Sequence, residues 1–288
     1  MSAPGGIYRH RPGQATSGFW GEHTGSVDFC ELNYQFLPFI CEFFNTVSSS
    51  TYALFGVLGC RNATQQQLGT EPWLCFAGLV VVGIGSALFH ASLTQSMQLL
   101  DSFPMMWEAS LLFYCAMKEK QDAPTNWPLA FLLILSNSIV LLAELRSWHA
   151  AWMYVNFGLI SLFGALRLGQ LCLRARATMP PAQLHQAAKC GAVGAASFLF
   201  GFLIWNLDNI YCDATRALKD QLGLPMAVVL EGHVWWHFLT SLGAYLLVSS
   251  GCVMVLTLQE PDSLFELSYT GHCGLPVVVR RSQADKKR

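Results

Sequence analysis

The sequence predicts an all-α membrane protein, a seven-transmembrane helix bundle. Three observations predict it. Hydrophobic residues make up 53% of the 288 and charged residues 12%, whereas soluble domains carry about 25% charged residues. Seven apolar segments stand out, at about 37–60, 72–93, 98–117, 127–145, 150–172, 190–211 and 231–257. Most approach or exceed the roughly 20 residues that cross a hydrocarbon core as a helix. Finally, a backbone in lipid must satisfy its own hydrogen bonds, which makes these segments helices.

Each element follows in order. Residues 1–36 are polar and glycine-rich, with no apolar run typical of a cleavable signal. The first span is therefore expected to act as the targeting signal. Residues 37–258 form the membrane domain and residues 259–288 a basic tail. The third span is the weakest, because Asp101 and Pro104 interrupt its start. Lys and Arg concentrate on cytosolic segments. If the N-terminus is luminal or extracellular, the cytosolic side holds Arg61, Lys118, Lys120, Arg167, Arg174, Arg176, Lys189, Arg280, Arg281, Lys286, Lys287 and Arg288. The opposite side then holds Arg9, Arg11, Arg146, Arg216 and Lys219. That bias predicts a luminal or extracellular N-terminus and a cytosolic C-terminus. Net charge is −1, so bulk electrostatics predict no nucleic-acid partner. The acceptor Asn62-Ala63-Thr64 falls in the cytosol on this topology, where it stays unglycosylated.

Ionisable side chains inside spans are costly and point to function. Ser86 and His90 lie four residues apart towards the outer end of the second span. His233 and His237 have the same spacing at the outer start of the seventh, and Asp101 lies at the outer start of the third. Residues i and i+4 share a helix face. Two imidazoles so spaced form half of a zinc site, and a third leaves the open position of a catalytic centre. His90 is the other histidine inside a span; His10, His23, His185 and His272 fall in tails or loops, and His149 at a span boundary. Ser86 alone reads as an interhelical hydrogen-bonding group. The three histidines with Asp101 read as a metal centre. Trp235 and Trp236 read as an interfacial aromatic belt.

Asp28, Glu31, Asn33 and Glu42 offer oxygen ligands of the kind calcium takes. Asp28 and Glu31 read equally well as a solvated loop, but Glu42 stands inside an apolar span and needs a partner. Of ten cysteines, Cys30 and Cys212 fall at outer span ends. A luminal location permits a bridge between them, and position alone leaves it open.

The stretches GFWGEHTGSVDFCELNY, ICEFFNT, GIGSALFHASL, MQLLDSFPM, WNLDNIYC and HVWWHFLTSLGAYL, spread over residues 18–247, resemble the alkaline ceramidases. The last two look closest to the phytoceramidase-type branch. The resemblance implies a seven-helix transmembrane hydrolase, similar in architecture to adiponectin-receptor-type proteins, in the endoplasmic reticulum or Golgi membrane. It implies zinc on His90, His233 and His237, with Ser86 and Asp101 as the other active-site groups. It also implies calcium on Asp28, Glu31, Asn33, Glu42 and the Phe29 carbonyl, and a Cys30–Cys212 disulfide. The implied reaction cleaves the amide of ceramide, dihydroceramide or phytoceramide into a sphingoid base and a free fatty acid, with no obligate protein partner. Zinc lowers the pKa of a bound water towards ~7. Asp101 is expected to move the proton and Ser86 to stabilise the oxyanion. The alternative is a seven-span receptor retaining a structural metal. The chain departs from the family pattern at Phe29, commonly tryptophan, and at Ser102, commonly glutamate.

Overall fold

Apolar runs long enough to cross a bilayer do become helices in the computed structural model. The structure describes residues 13–118, 120, 123–146, 151–260, 263–269 and 274–281. His10, His149, His272, Arg9, Arg11, Lys286, Lys287 and Arg288, which entered the sequence reading, lie outside the described residues. Two short strands, β1 (Ser17–Gly18) and β2 (Gly21–Glu22), pair antiparallel near the start. The helices are α1 (Phe43–Ser48), α2 (Ser50–Gln65), α3 (Thr70–Ser92), α4 (Gln95–Met117), α5 (Trp127–Leu145), α6 (Ala151–Ala175), α7 (Pro181–Ile210), α8 (Cys212–Leu222) and α9 (Gly232–Gln259). A short 3-10 helix covers Met226–Leu230, and an antiparallel pair, β3 (Leu264–Ser268) and β4 (Val277–Arg281), follows α9.

Among the described residues, five helices are long and apolar enough to cross a membrane: α3, α5, α7, α9 and the Trp152–Ala175 part of α6. They define a multi-pass membrane protein. Helix α5 shows why. Asn126 caps it by accepting the Leu129 N–H at 3.2 Å, and Pro128 fills its first turn. Its Phe131 is 67% exposed while its Asn137 is 0% exposed. A helix that turns its phenylalanine outward and its amide inward is built for lipid. The first predicted span is divided between α1 and the 16-residue α2. The third, α4, runs through Pro104.

The chain divides into two compact units. One comprises Met1–Leu54, Val80–Pro104 and Ser197–Leu242. Its loop backbone is fastened to the C-terminal end of α3, where helix carbonyls lack internal partners. Glu42 N–H donates to His90 O at 3.0 Å, Cys41 N–H to Ala91 O at 2.9 Å and Gly25 N–H to Leu93 O at 3.0 Å. Gln98 on α4 grips the same loop, accepting from Ser26 N–H and donating to Ser26 Oγ, both at 2.6 Å.

The other unit comprises Phe55–Leu79, Met105–Ala196 and Gly243–Arg288. A polar chain crosses its apolar interior. Asn156 Nδ2 donates to Asn137 Oδ1 and Asn137 Nδ2 to Ser110 Oγ, each at 2.9 Å. Arg167, counted above among the cytosolic-side charges, is buried within α6, where its Nε donates to Ala116 O at 3.0 Å.

The β3–β4 hairpin lies where a plain tail was expected. It is held by Asn62, whose Nδ2 donates to Val278 O and whose Oδ1 accepts from Val278 N–H, both at 3.0 Å. Asn62 is thus a buried clamp whose amide oxygen and nitrogen are both bonded. Asn62→Ala leaves the Val278 groups unpaired, at about 1–3 kcal/mol. The expected result is faster proteolysis within 264–281 and a lower melting temperature; unchanged cleavage kinetics would show that the clamp does not hold the hairpin.

Candidate metal centre

The last two turns of α3 carry Ser86 and His90 on one face, and the first two turns of α9 carry His233 and His237. The three imidazoles meet. Their ring centroids lie 4.9 Å (His90–His233), 5.0 Å (His90–His237) and 4.6 Å (His233–His237) apart. Each offers a ligand atom within 4.8 Å of the others, and all three are buried. Among the described residues this is the group of three or more His, Cys, Asp or Glu side chains so gathered.

Outer partners orient two of the rings. His90 Nδ1 donates to Glu42 Oε2 at 2.6 Å, which leaves Nε2 as its free lone pair. His237 Nδ1 meets Ser48 Oγ at 2.8 Å. Such partners fix the tautomer and ring angle of a metal-binding histidine. His233 Nδ1 is buried with no hydrogen-bond partner, a costly state for a polar atom. A borderline-soft cation held by the three imidazoles would supply the partner that the protein does not. The donor set therefore fits zinc.

Ser86 and Asp101 stand beside the triad. Ser86 Oγ is 3.4 Å from His237 Nε2 and bonds to the Asp101 carboxylate. The approach of α3 to α4 depends on two residues. Pro104 has no N–H to offer the Leu100 carbonyl, and Gly85 packs directly against that carbonyl, where a Cβ would collide. Ser86 and the histidines are buried, whereas Asp101 keeps partial exposure. Ser102 is buried.

The acidic residues are placed differently. Glu31 caps α1, accepting from Phe44 N–H at 2.6 Å and Asn45 N–H at 2.8 Å. Burial, and then the negative charge of Glu42, push its carboxyl up to about 8, against the lowering by those two N–H groups. Glu42 also accepts from Asn45 Nδ2 at 3.0 Å and faces Phe29 N–H at 3.4 Å. Asp28 is buried, and Asn33 Oδ1 is buried without a hydrogen-bond partner. The Phe29 carbonyl accepts from Arg216 Nη2 at 3.4 Å. The Phe29 ring covers the metal centre, its centroid 4.8 Å from His90 and 4.2 Å from His233. Cys30 and Cys212 are joined as a disulfide, with Cα atoms 5.4 Å apart. Trp235 is exposed, whereas Trp236 packs with Phe198, Phe202 and Trp205 at 5.7–6.1 Å.

Sequence reasoning missed Ser48, Ser49, Gly85 and the link from Glu42 to His90. A signal existed for the serines, since consecutive hydroxyls inside an apolar span need partners. No sequence spacing pointed to the Glu42–His90 pair, because the two residues are 48 positions apart.

A buried three-histidine cluster flanked by a serine–aspartate pair, inside a multi-pass helical membrane protein, defines a class of membrane proteins with a site able to hold a metal. Comparison with known proteins gives the family. Residues 21–279 match the ceramidase family, and the chain belongs to it. It is 33% identical over 270 residues to alkaline ceramidase YPC1 of Saccharomyces cerevisiae, covering 88% of this chain and 84% of that protein. It is 31% identical over 236 residues to alkaline ceramidase 3 of Mus musculus, covering 82% and 85%. The alkaline ceramidase of Arabidopsis thaliana is 27% identical over 233 residues, covering 80% and 83%.

Proposed function

We propose that this chain is a zinc-dependent intramembrane amidase that hydrolyses ceramide-type sphingolipids to a sphingoid base and a free fatty acid. One observation carries the reading. The Ser86–Asp101 pair lies against the metal triad, whereas a purely structural metal needs no proton acceptor beside it. His90, His233 and His237 would hold zinc. The bound ion would polarise the substrate carbonyl and acidify water. Asp101 accepts the proton released as water attacks and delivers it to the leaving nitrogen. Ser86 donates to the oxyanion that forms on the carbonyl oxygen. Glu42 and Ser48 hold two of the rings in register, and Phe29 shields the centre from water.

We place this site in a seven-span bundle, with α2 and α4 completing the five evident spans. The N-terminus is luminal or extracellular and the C-terminus cytosolic, in endoplasmic reticulum or Golgi membrane, where the Cys30–Cys212 bridge is stable. The substrates are ceramide, dihydroceramide or phytoceramide. The deciding experiment presents all three, labelled, to purified protein of known zinc content. Release of sphingoid base and fatty acid supports the reading; zinc-loaded protein that releases neither rejects it.

Calcium is the second proposed ion, held by Asp28, Glu31, Asn33, Glu42 and the Phe29 carbonyl. What supports it is charge. Burial and the nearby charge of Glu42 make Glu31 costly to ionise. A carboxyl held near 8 loses folding stability as pH rises from the unfolded value towards 8, and a divalent cation offsets that loss. Chelating calcium against buffered zinc is expected to lower the melting temperature and turnover while zinc stays bound. Asp28→Asn should reproduce this and abolish the response to added calcium. Glu42→Ala is a poor probe, because Glu42 also holds His90. No change on chelation would leave the acidic loop without a metal role.

A further inference from the structure

The step from α1 to α2 falls on three consecutive serines. Ser50 is exposed and bonds back to Val47 O at 2.6 Å. Ser48 and Ser49 are buried, and each reaches a different part of the site. Ser48 Oγ lies 2.8 Å from His237 Nδ1 on α9. Ser49 Oγ lies 3.0 Å from Ser86 Oγ on α3. Adjacent residues on a helix point about 100° apart, so two neighbouring positions address two neighbouring helices.

Proton counting gives each hydroxyl a direction. Ser48 has its own acceptor in Asn45 O at 3.1 Å. Its lone pair is then available to a proton on His237 Nδ1, which leaves His237 Nε2 for the metal. Ser86 gives its proton to the Asp101 carboxylate, the stronger, charged acceptor. Its oxygen is left to accept from Ser49. Ser49 shares its proton with Asn45 O at 2.8 Å, a three-centre arrangement of the kind common at helix ends.

We infer that Ser48 and Ser49 are positioning residues with divided tasks: Ser48 holds His237 as a metal ligand, and Ser49 holds the Ser86 oxygen beside Asp101. The Ser49 half rests on the amidase reading; the Ser48 half requires the metal alone. The division has a consequence during turnover. When Asp101 takes up the proton it becomes the weaker, uncharged acceptor, and the Ser86 hydroxyl is drawn towards the charged oxyanion. Ser49 keeps that oxygen in place through the turn.

Two readouts on the full-length protein in detergent test this: zinc loss to a chelator without substrate, and kcat and KM on ceramide. Ser48→Ala is expected to speed zinc loss by about 10–100-fold, the usual effect of removing an outer partner of a ligand. Ser48→Thr restores retention. Ser49→Ala is expected to leave zinc loss unchanged and KM unchanged, while kcat falls about 10-fold, short of the roughly 10²-fold that loss of an oxyanion donor itself costs. Ser49→Thr recovers most of that kcat. A merely structural role would move both readouts together in both variants, and that result overturns the inference. So does unchanged zinc retention in Ser48→Ala or unchanged kcat in Ser49→Ala. Zinc-loaded parent protein with no ceramide turnover sinks the amidase reading and the Ser49 half with it, and the zinc readout still decides Ser48.

Discussion

His237→Ala is expected to abolish bound zinc and ceramide hydrolysis together, with the protein still inserted in membranes. The same holds for His233→Ala. Both residues are buried and their rings meet His90 at 5.0 and 4.9 Å. Removing either leaves two imidazoles, too few for the three-ligand catalytic form of zinc. His237 carries a further load, because its loss also removes the link from Ser48 to α9. Turnover should fall below about one-thousandth of the parent, the scale seen when one member of a unit that acts together is removed. Elemental analysis of purified protein checks the metal, and size-exclusion profiles check the fold. Stoichiometric zinc in both variants would reject the ligand assignment.

The second large effect separates chemistry from metal binding. Asp101→Asn keeps the side-chain volume and removes the proton acceptor. It should retain zinc and lose roughly 10²–10⁴-fold in kcat, the range for a lost general base. Gly85→Ala is expected to reach about 10²-fold without touching a functional group. An added Cβ meets the Leu100 carbonyl, so α3 and α4 must part where Ser86 bonds to Asp101. A shift of about 1 Å in a reacting pair costs that much. Parent-like turnover in Gly85→Ala, with zinc bound, would show that the close approach is dispensable.

Much of the framework was legible because hydropathy and helix geometry are local. The fourth predicted span, 127–145, coincides with α5, Trp127–Leu145. The seventh, 231–257, lies within two residues of α9, Gly232–Gln259. Four-residue spacings were enough to place Ser86 with His90 and His233 with His237 on shared faces. Less was legible after α9, where LFELS and VVVRR pair as strands. Short alternating runs carry a weak signal, and here the partner that orders them is Asn62, 216 positions away. Arg167, inside the predicted span 150–172, counts with the cytosolic-side charges in the sequence; only the fold shows it buried and bonded to Ala116 O.

By itself, the sequence determined that the chain is apolar enough for a membrane, roughly where its long apolar helices run, and that three histidines, a serine and an aspartate stand at span ends. These are properties of composition and of period, readable within a few turns. Tertiary structure alone decided what those residues do to one another. It put Glu42 on His90, Ser48 on His237 and Ser49 on Ser86, and it laid the Phe29 ring over the centre. Hydrogen bonds between residues 37 to 189 positions apart depend on how helices pack, and packing follows from side-chain shape and from glycines such as Gly85 that let backbones touch. A linear pattern carries no record of that distance until the helices have met.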